Sequence, residues 1–189
     1  MKLSAPLIRL FDCPVDDIAS VLPSASSEVW EVDRSRQTTY PVHRSTRSII
    51  FEWLDNDWRI GGPVKVQRHA YASNELSVAV NGCAERLATS YPGARLVRVA
   101  LAELPPRARI PAHVDNGIGV TAMHRCHVPV VTNMNVHFYI DRVSYFLERG
   151  VAYEFDNTRL HAVDNQSDER RVHLLCDFMP ASLTADAAQ

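Results

Sequence analysis

The chain is 189 residues long, the length of one ordinary domain. At 46% hydrophobic and 22% charged residues, with 7 glycines and 11 prolines, its composition speaks against collagen-like, disordered and coiled-coil classes. Lys+Arg 20 against Asp+Glu 22 leaves a formal net charge of -2, which offers no positive field for a phosphate backbone, so no nucleic-acid partner is expected.

From the N-terminus, MKLSAPLIRLFD meets Arg9 and Asp12 too early to form a secretory apolar region, and nowhere do 18 uncharged apolar residues run together. A cytoplasmic protein with no membrane partner is expected. Leu7 to Phe11 reads as a strand, Asp16 to Val21 as a short helix, and SIIFEW at Ser48 to Trp53 as a second strand. Between Asn74 and Thr89 the residues Leu76, Val80, Cys83, Ala84 and Leu87 recur at steps of three and four, which predicts an amphipathic helix ended by Tyr91-Pro92-Gly93.

After Gly93 come short β-rich runs: Arg95 to Leu104, Ala108 to His113, His124 to Thr132, Val136 to Ile140, Val151 to Phe155, Leu160 to Val163 and Arg171 to Phe178. Their spacing predicts a mainly β fold with flanking helices, a sandwich or jelly-roll barrel, because the gaps are too short for the helical crossovers of a parallel sheet. One domain over 1–189 is expected. Strands and a helix at 1–93 would pack on a barrel at 94–180, followed by a flexible tail at 181–189. The cysteines Cys13, Cys83, Cys126 and Cys176 form no C-x-x-C pair and read as small buried hydrophobes in a reduced compartment.

The chemistry concentrates in the barrel. Eight histidines are more than average usage, and histidine is the commonest metal ligand. In IPAHVDNG, His113 and Asp115 stand two apart at a strand end and share a face. His161 is the best third ligand, and two histidines with one carboxylate form the facial set of non-haem Fe(II) oxygenases. Asn165 to Asp168 is a turn cluster, so a hairpin there would set Arg171 opposite His161, where a guanidinium suits a carboxylate. Arg125 and His127 leave one face of their strand while Cys126, Val128 and Val130 leave the other. For the last strand the parity separates Arg171, His173 and Asp177 from Val172, Leu174, Cys176 and Phe178, and leaves open whether the polar set faces solvent or a barrel interior.

Three stretches, LVRVALAELPPRARIPAHVD, RCHVPVVTN and FDNTRLHAVDNQSDERRVHLLCD, together resemble the aspartyl/asparaginyl β-hydroxylase family of Fe(II)/2-oxoglutarate-dependent dioxygenases, which includes bacterial proline hydroxylases. They span Leu96 to Asp177 in the family's order. The resemblance implies a double-stranded β-helix (jelly-roll, cupin-like), with His113, Asp115 and His161 as iron ligands. It also implies Arg171 on the distal carboxylate of 2-oxoglutarate, and Arg125 and His127 near that cosubstrate's other end. The implied reaction uses Fe(II), 2-oxoglutarate and O2 to hydroxylate an unactivated carbon of a small amino-acid-like or peptide substrate, with succinate and CO2 as coproducts. Alternatives are hydroxylation of aspartyl/asparaginyl residues in a peptide or protein, a zinc-dependent hydrolase, and a non-catalytic metal-binding barrel.

The N-terminal half is less informative. His43, Arg44, Trp53, Trp58, Arg68 and Tyr71 suit a substrate entrance, since aromatic and cationic side chains bind an amino-acid carboxylate. Arg34, Arg36, Arg44 and Arg47 make a local basic cluster among acidic residues, and Asp168-Glu169-Arg170 reads as a solvated turn. His124 and His137 read as structural or exposed. The sequence carries no reading of oligomeric state.

Overall fold

Alternating apolar and polar runs become strands, and the computed structural model, which describes residues 3–24 and 26–183, arranges them in two facing antiparallel sheets. In chain order the strands are β1 (Leu7–Asp12), β2 (Arg47–Leu54), β3 (Val66–Arg68), β4 (Arg95–Leu104), β5 (Arg109–His113), β6 (His124–Val131), β7 (Val136–Ile140), β8 (Val143–Tyr145), β9 (Val151–Phe155), β10 (His161–Asn165) and β11 (Arg171–Met179). The larger sheet runs β1-β9-β6-β11-β4-β2-β3 and the smaller β5-β10-β7-β8. This is a double-stranded β-helix of the jelly-roll kind, and β1, β2 and β3 extend its larger sheet. The helices are α1 (Asp16–Ser20), α2 (Ser35–Thr39), α3 (Asn74–Ala88) and α4 (Ile118–Thr121).

The helix expected after Asn74 forms because its local signals agree. Ser73 accepts a capping hydrogen bond from Leu76 N at 3.2 Å, with Glu75 in the first turn and Arg86 in the last complementing the helix dipole. Its buried stripe of Leu76, Val80, Cys83, Ala84 and Leu87 packs on the outer face of the larger sheet, against Val99, Leu101, Cys126, Val128, Val130, Val172, Leu174, Cys176 and Phe178. Each large apolar side chain buried there contributes about 1.5–3 kcal/mol. A second apolar cluster, including Leu104, Ile110, Phe138, Ile140, Phe155 and Val163, lies between the sheets. All four cysteines are free and buried.

Two parts of the expected layout change. The strands β10 and β11 do not pair as a hairpin: both edges of β10 are occupied, by β5 and β7, while β11 lies between β4 and β6 in the other sheet. The Asn165 side chain builds the crossing. Its Nδ2 donates to the carbonyls of Leu104, Pro105 and Glu169, and its Oδ1 accepts from Ser167 N and Oγ. The short elements α2, α4, β3 and β8 are additions, with three residues in each of the two strands. Of the expected tail, Ala181–Leu183 forms one turn of 3-10 helix and 184–189 lie outside the described residues. No described helix is long and apolar enough to cross a membrane.

Candidate metal centre

The site is built where the two sheets open at one end. His113 closes β5 and His161 begins β10, and the strand register places them directly opposite, with ring centroids 4.2 Å apart. Asp115 follows two residues after His113, and its amide donates to Asn157 O at 3.2 Å, tying this loop to the turn before β10. Gly117, with φ of +106°, then takes a backbone form that L side chains rarely adopt and leads into α4.

Each candidate ligand has one atom held by protein and another turned inward. His113 Nδ1 and His161 Nδ1 donate to the carbonyls of Pro111 and Arg159, both at 2.8 Å, which leaves each Nε2 its lone pair. His113 Nε2 is buried without a hydrogen-bond partner among the described residues. Asp115 Oδ2 accepts from Arg125 and, at 3.2 Å, from Asn157 Nδ2. Its Oδ1 stands 3.6 Å from His113 Nε2 and 3.9 Å from His161 Nε2. Ligand atoms of the three residues lie within 4.8 Å of one another, and this is the one such group of three or more among the described residues. Burial pushes the His161 pKa below the ordinary value against the pull of Asp115, so the imidazole is neutral, as a ligand must be. Two nitrogens and one carboxylate oxygen fit a facial Fe(II) set.

The facing wall comes from β6 and β11. Alternation sends Arg125, His127, Arg171, His173 and Asp177 inward, and every one of the last four is buried, so the solvent-face alternative for Arg171, His173 and Asp177 is overturned. They stay dry because α3 covers the other face of the sheet while β5 and β10 cover this one. Arg125 grips Asp177 as a fork, Nε to Oδ1 at 2.9 Å and NH2 to Oδ2 at 2.7 Å, and Arg98 adds a bond to Oδ2 at 3.0 Å. Burial raises the Asp177 pKa, but Arg125 and Arg98 outweigh it and hold the carboxyl below its usual range.

Arg171 donates from NH2 to His173 Nδ1 at 2.6 Å, its Nε has no partner, and it forms no ion pair among the described residues. Burial, followed by repulsion from Arg36, pulls its pKa down to about 9, which still leaves it charged at neutral pH. It lines a deep pocket of about 40 Å³ together with His113, Asp115, Arg125, His127 and His161. Burial and the Arg171 charge keep His127 neutral, and its ring packs edge-on against Phe138 and Phe155. All six site residues expected from sequence thus meet in one place, although Arg171 arrives from the opposite sheet and Arg125 is bound to protein carboxylates.

An outer cavity of about 340 Å³ opens beside the ligands, walled by Tyr40, Pro41, Val42, His43, Trp53, Val114 and Val120, with Arg36, Arg98 and Arg125 contributing charge. Of the expected entrance residues, His43 and Trp53 line it, and Trp58 lines an adjoining pocket with Tyr40 and Arg98. Arg44, Arg68 and Tyr71 do not line it: Arg44 is exposed, Arg68 pairs with Glu52 at 3.0 Å, and Tyr71 Oη accepts from Ile50 N at 2.6 Å. Sequence reasoning missed Arg36, Tyr40 and Arg98 as cavity residues, because short, non-periodic segments position the first two. Asp177 was missed as an organiser of the site, although its place on the same parity as Arg171 was visible. His124 and His137 lie away from the centre, bonded to Glu154 at 2.7 Å and Ser144 at 3.2 Å.

The family model described as aspartyl/asparaginyl beta-hydroxylase matches residues 64–180. No curated protein sequence matches the chain. A prolyl hydroxylase from Trichoplax adhaerens, solved with a hypoxia inducible factor peptide fragment, superposes with a TM-score of 0.58 at 12% identity over 98% of this chain and 88% of that one. A viral collagen prolyl hydroxylase from Paramecium Bursaria Chlorella virus-1, solved with 2-oxoglutarate, gives 0.54 at 11% identity over 94% and 97%. A Pseudomonas putida prolyl-4-hydroxylase gives 0.53 at 14% over 94% of each chain. At these identities the likeness is one of fold.

Proposed function

Since the chain belongs to the aspartyl/asparaginyl β-hydroxylase family of Fe(II)/2-oxoglutarate-dependent dioxygenases, we propose that it hydroxylates an unactivated carbon of an amino acid or amino-acid-like substrate, releasing succinate and CO2. The observation that carries this reading is the convergence of His113 Nε2, His161 Nε2 and Asp115 Oδ1, each turned inward by a bond that its residue makes elsewhere. Those three residues would hold Fe(II). The bound iron, with 2-oxoglutarate and O2, supplies the oxidising power that no side chain possesses.

The protein's own contribution is position and dryness. Arg125 and Asn157 fix the Asp115 carboxylate so that one oxygen is presented to the metal. Arg171, charged and without an acidic partner at the deep end, would bind the distal carboxylate of the cosubstrate as a guanidinium fork. Neutral His127 and the rings of Phe138 and Phe155 wall that pocket and keep water from the reacting centre. A hydrolase on the same ligands needs a general base beside the ion, and the nearby Asp177 is tied to two arginines.

The outer cavity, about 340 Å³, lies within the range of small-ligand sites. Aerobic incubation with iron, 2-oxoglutarate and a panel of amino acids and short peptides tests the reading. Substrate-stimulated succinate with a product heavier by one oxygen is expected. Succinate formation independent of iron, or none with any panel member, would overturn it.

A further inference from the structure

Four guanidinium groups line the outer cavity or the deep pocket, and carboxylates account for two of them. Arg98 and Arg125 share Asp177, and Arg125 also holds Asp115. Arg171 has the role proposed above. Arg36 is left over: it is 9% exposed and makes no ion pair among the described residues. Its contacts are long and neutral, with Thr46 Oγ1 at 3.4 Å and both ring nitrogens of His43 at 3.3 Å. Withdrawing a guanidinium from water without an anion costs several kcal/mol. Burial and the Arg125 charge pull its pKa to about 10, which leaves it protonated at neutral pH.

Its setting is not that of a core residue. The helix that carries it, α2, has the sequence SRQTT, and its two buried residues are Arg36 and Gln37. Gln37 anchors the helix through Nε2 to Ser48 Oγ at 3.3 Å, so the inward face of α2 consists of a tether and a cation. Arg36 lines both the outer cavity and the deep pocket, whereas Arg171 lines the deep pocket alone. The His43 ring that Arg36 contacts lies 5.5 Å from the His113 ring, so an anion bound to Arg36 brings its parent molecule beside the metal ligands.

We propose that Arg36 is the substrate anchor and that the substrate carries a free carboxylate, which docks on this guanidinium in the outer cavity while Arg171 serves the cosubstrate. The inference rests on the dioxygenase reading for the identity of the second anion. Tyr40, Pro41, Val42 and Trp53 supply an apolar and aromatic wall for the rest of the molecule. The carboxylate belongs either to a free amino acid or to a peptide, through its C-terminus or an acidic side chain.

The test uses the full chain in two assays. In the iron- and 2-oxoglutarate-loaded enzyme, each amino acid is compared with its carboxamide, and peptides with free C-termini are compared with amidated ones. Free acids are expected to support turnover at least about 100-fold better than amides, because a carboxamide leaves the buried guanidinium charge uncompensated. Activity on free amino acids alone, or on C-terminal acids as well, separates the two sources, and activity on amidated peptides with internal Asp or Glu marks the side-chain source. Arg36→Gln is expected to raise the substrate KM about 100-fold with the 2-oxoglutarate KM within about twofold, and Arg36→Lys to recover part of the loss.

The second assay is calorimetric binding of the same acids to metal-free protein, which reads Arg36 even if the dioxygenase reading fails. Acids are expected to bind the natural protein and not Arg36→Gln. The melting temperature of ligand-free Arg36→Gln should equal or exceed that of the natural protein, because an uncompensated buried charge has gone. Equal turnover of acids and amides, a rise confined to the 2-oxoglutarate KM, or a large fall in melting temperature in both variants would each overturn the proposal.

Discussion

The two faces of the larger sheet share the same backbone and nearly the same dryness, yet do different things. Along β6 and β11 one parity presents Cys126, Val128, Val130, Val172, Leu174, Cys176 and Phe178 to α3. The other presents Arg125, His127, Arg171, His173 and Asp177 to the inter-sheet space. On the outer face the buried side chains are mostly apolar, the Tyr91 hydroxyl being bonded to Glu154 and Cys126, and burial itself stabilises. On the inner face burial costs free energy, and the cost is offset unevenly: the Arg125–Asp177 fork is matched, whereas Arg171 Nε and His173 Nε2 have no hydrogen-bond partner among the described residues. Stability and ligand recognition are thus separated by the two-residue period of a strand, and the unmatched polar atoms mark the side where a ligand belongs.

Breaking the ligand set should have the largest effect. His161→Ala or Asp115→Ala is expected to abolish substrate-stimulated succinate formation, and full activity in either variant would refute the metal assignment. Arg171→Ala should weaken cosubstrate binding by about 2–5 kcal/mol, the usual loss for one partner of a buried charge pair. An unchanged 2-oxoglutarate KM would remove Arg171 from that role.

Asp177→Asn tests the matched part of the inner face. Asp177 has a folded pKa below its unfolded one, so its contribution to stability is complete above the unfolded value, about 4, and is lost as pH falls through the folded value. The variant should lose about 3–5 kcal/mol at pH 7. In the metal-free protein it should also show a shallower decline in stability below about pH 4 than the natural chain. Parallel acid unfolding curves would contradict this. Leu174→Ala on the outer face should cost about 2–5 kcal/mol through the cavity it leaves, with metal affinity and both KM values unchanged. A loss of metal affinity there would show that the two faces are coupled.

The face separation was legible because β6 and β11 alternate polar with apolar residues, with Pro129 and Leu175 as apolar exceptions on the polar parity, and His113-x-Asp115 was legible because two residues at strand spacing share a side. Which parity met water was not legible, since that depends on α3 and β5, which pack from elsewhere in the chain. The turn after Asn165 has the composition of a hairpin, and only the occupied edges of β10 send the chain across to the other sheet. Arg36 gave no signal beyond a local basic cluster: SRQTT has no apolar period, and its place beside His43 is set by tertiary structure. β3 and β8 were too short to show alternation.

Whether His113, Asp115 and His161 form one metal site is decided by anaerobic Fe(II) titration of the natural chain and of Asp115→Ala, followed by calorimetry. One ion per chain is expected in the natural protein and an affinity loss of at least about 100-fold in the variant, the upper end of what removing even a hydrogen-bond partner of a metal ligand costs. Equal stoichiometry and affinity in the two proteins would contradict it.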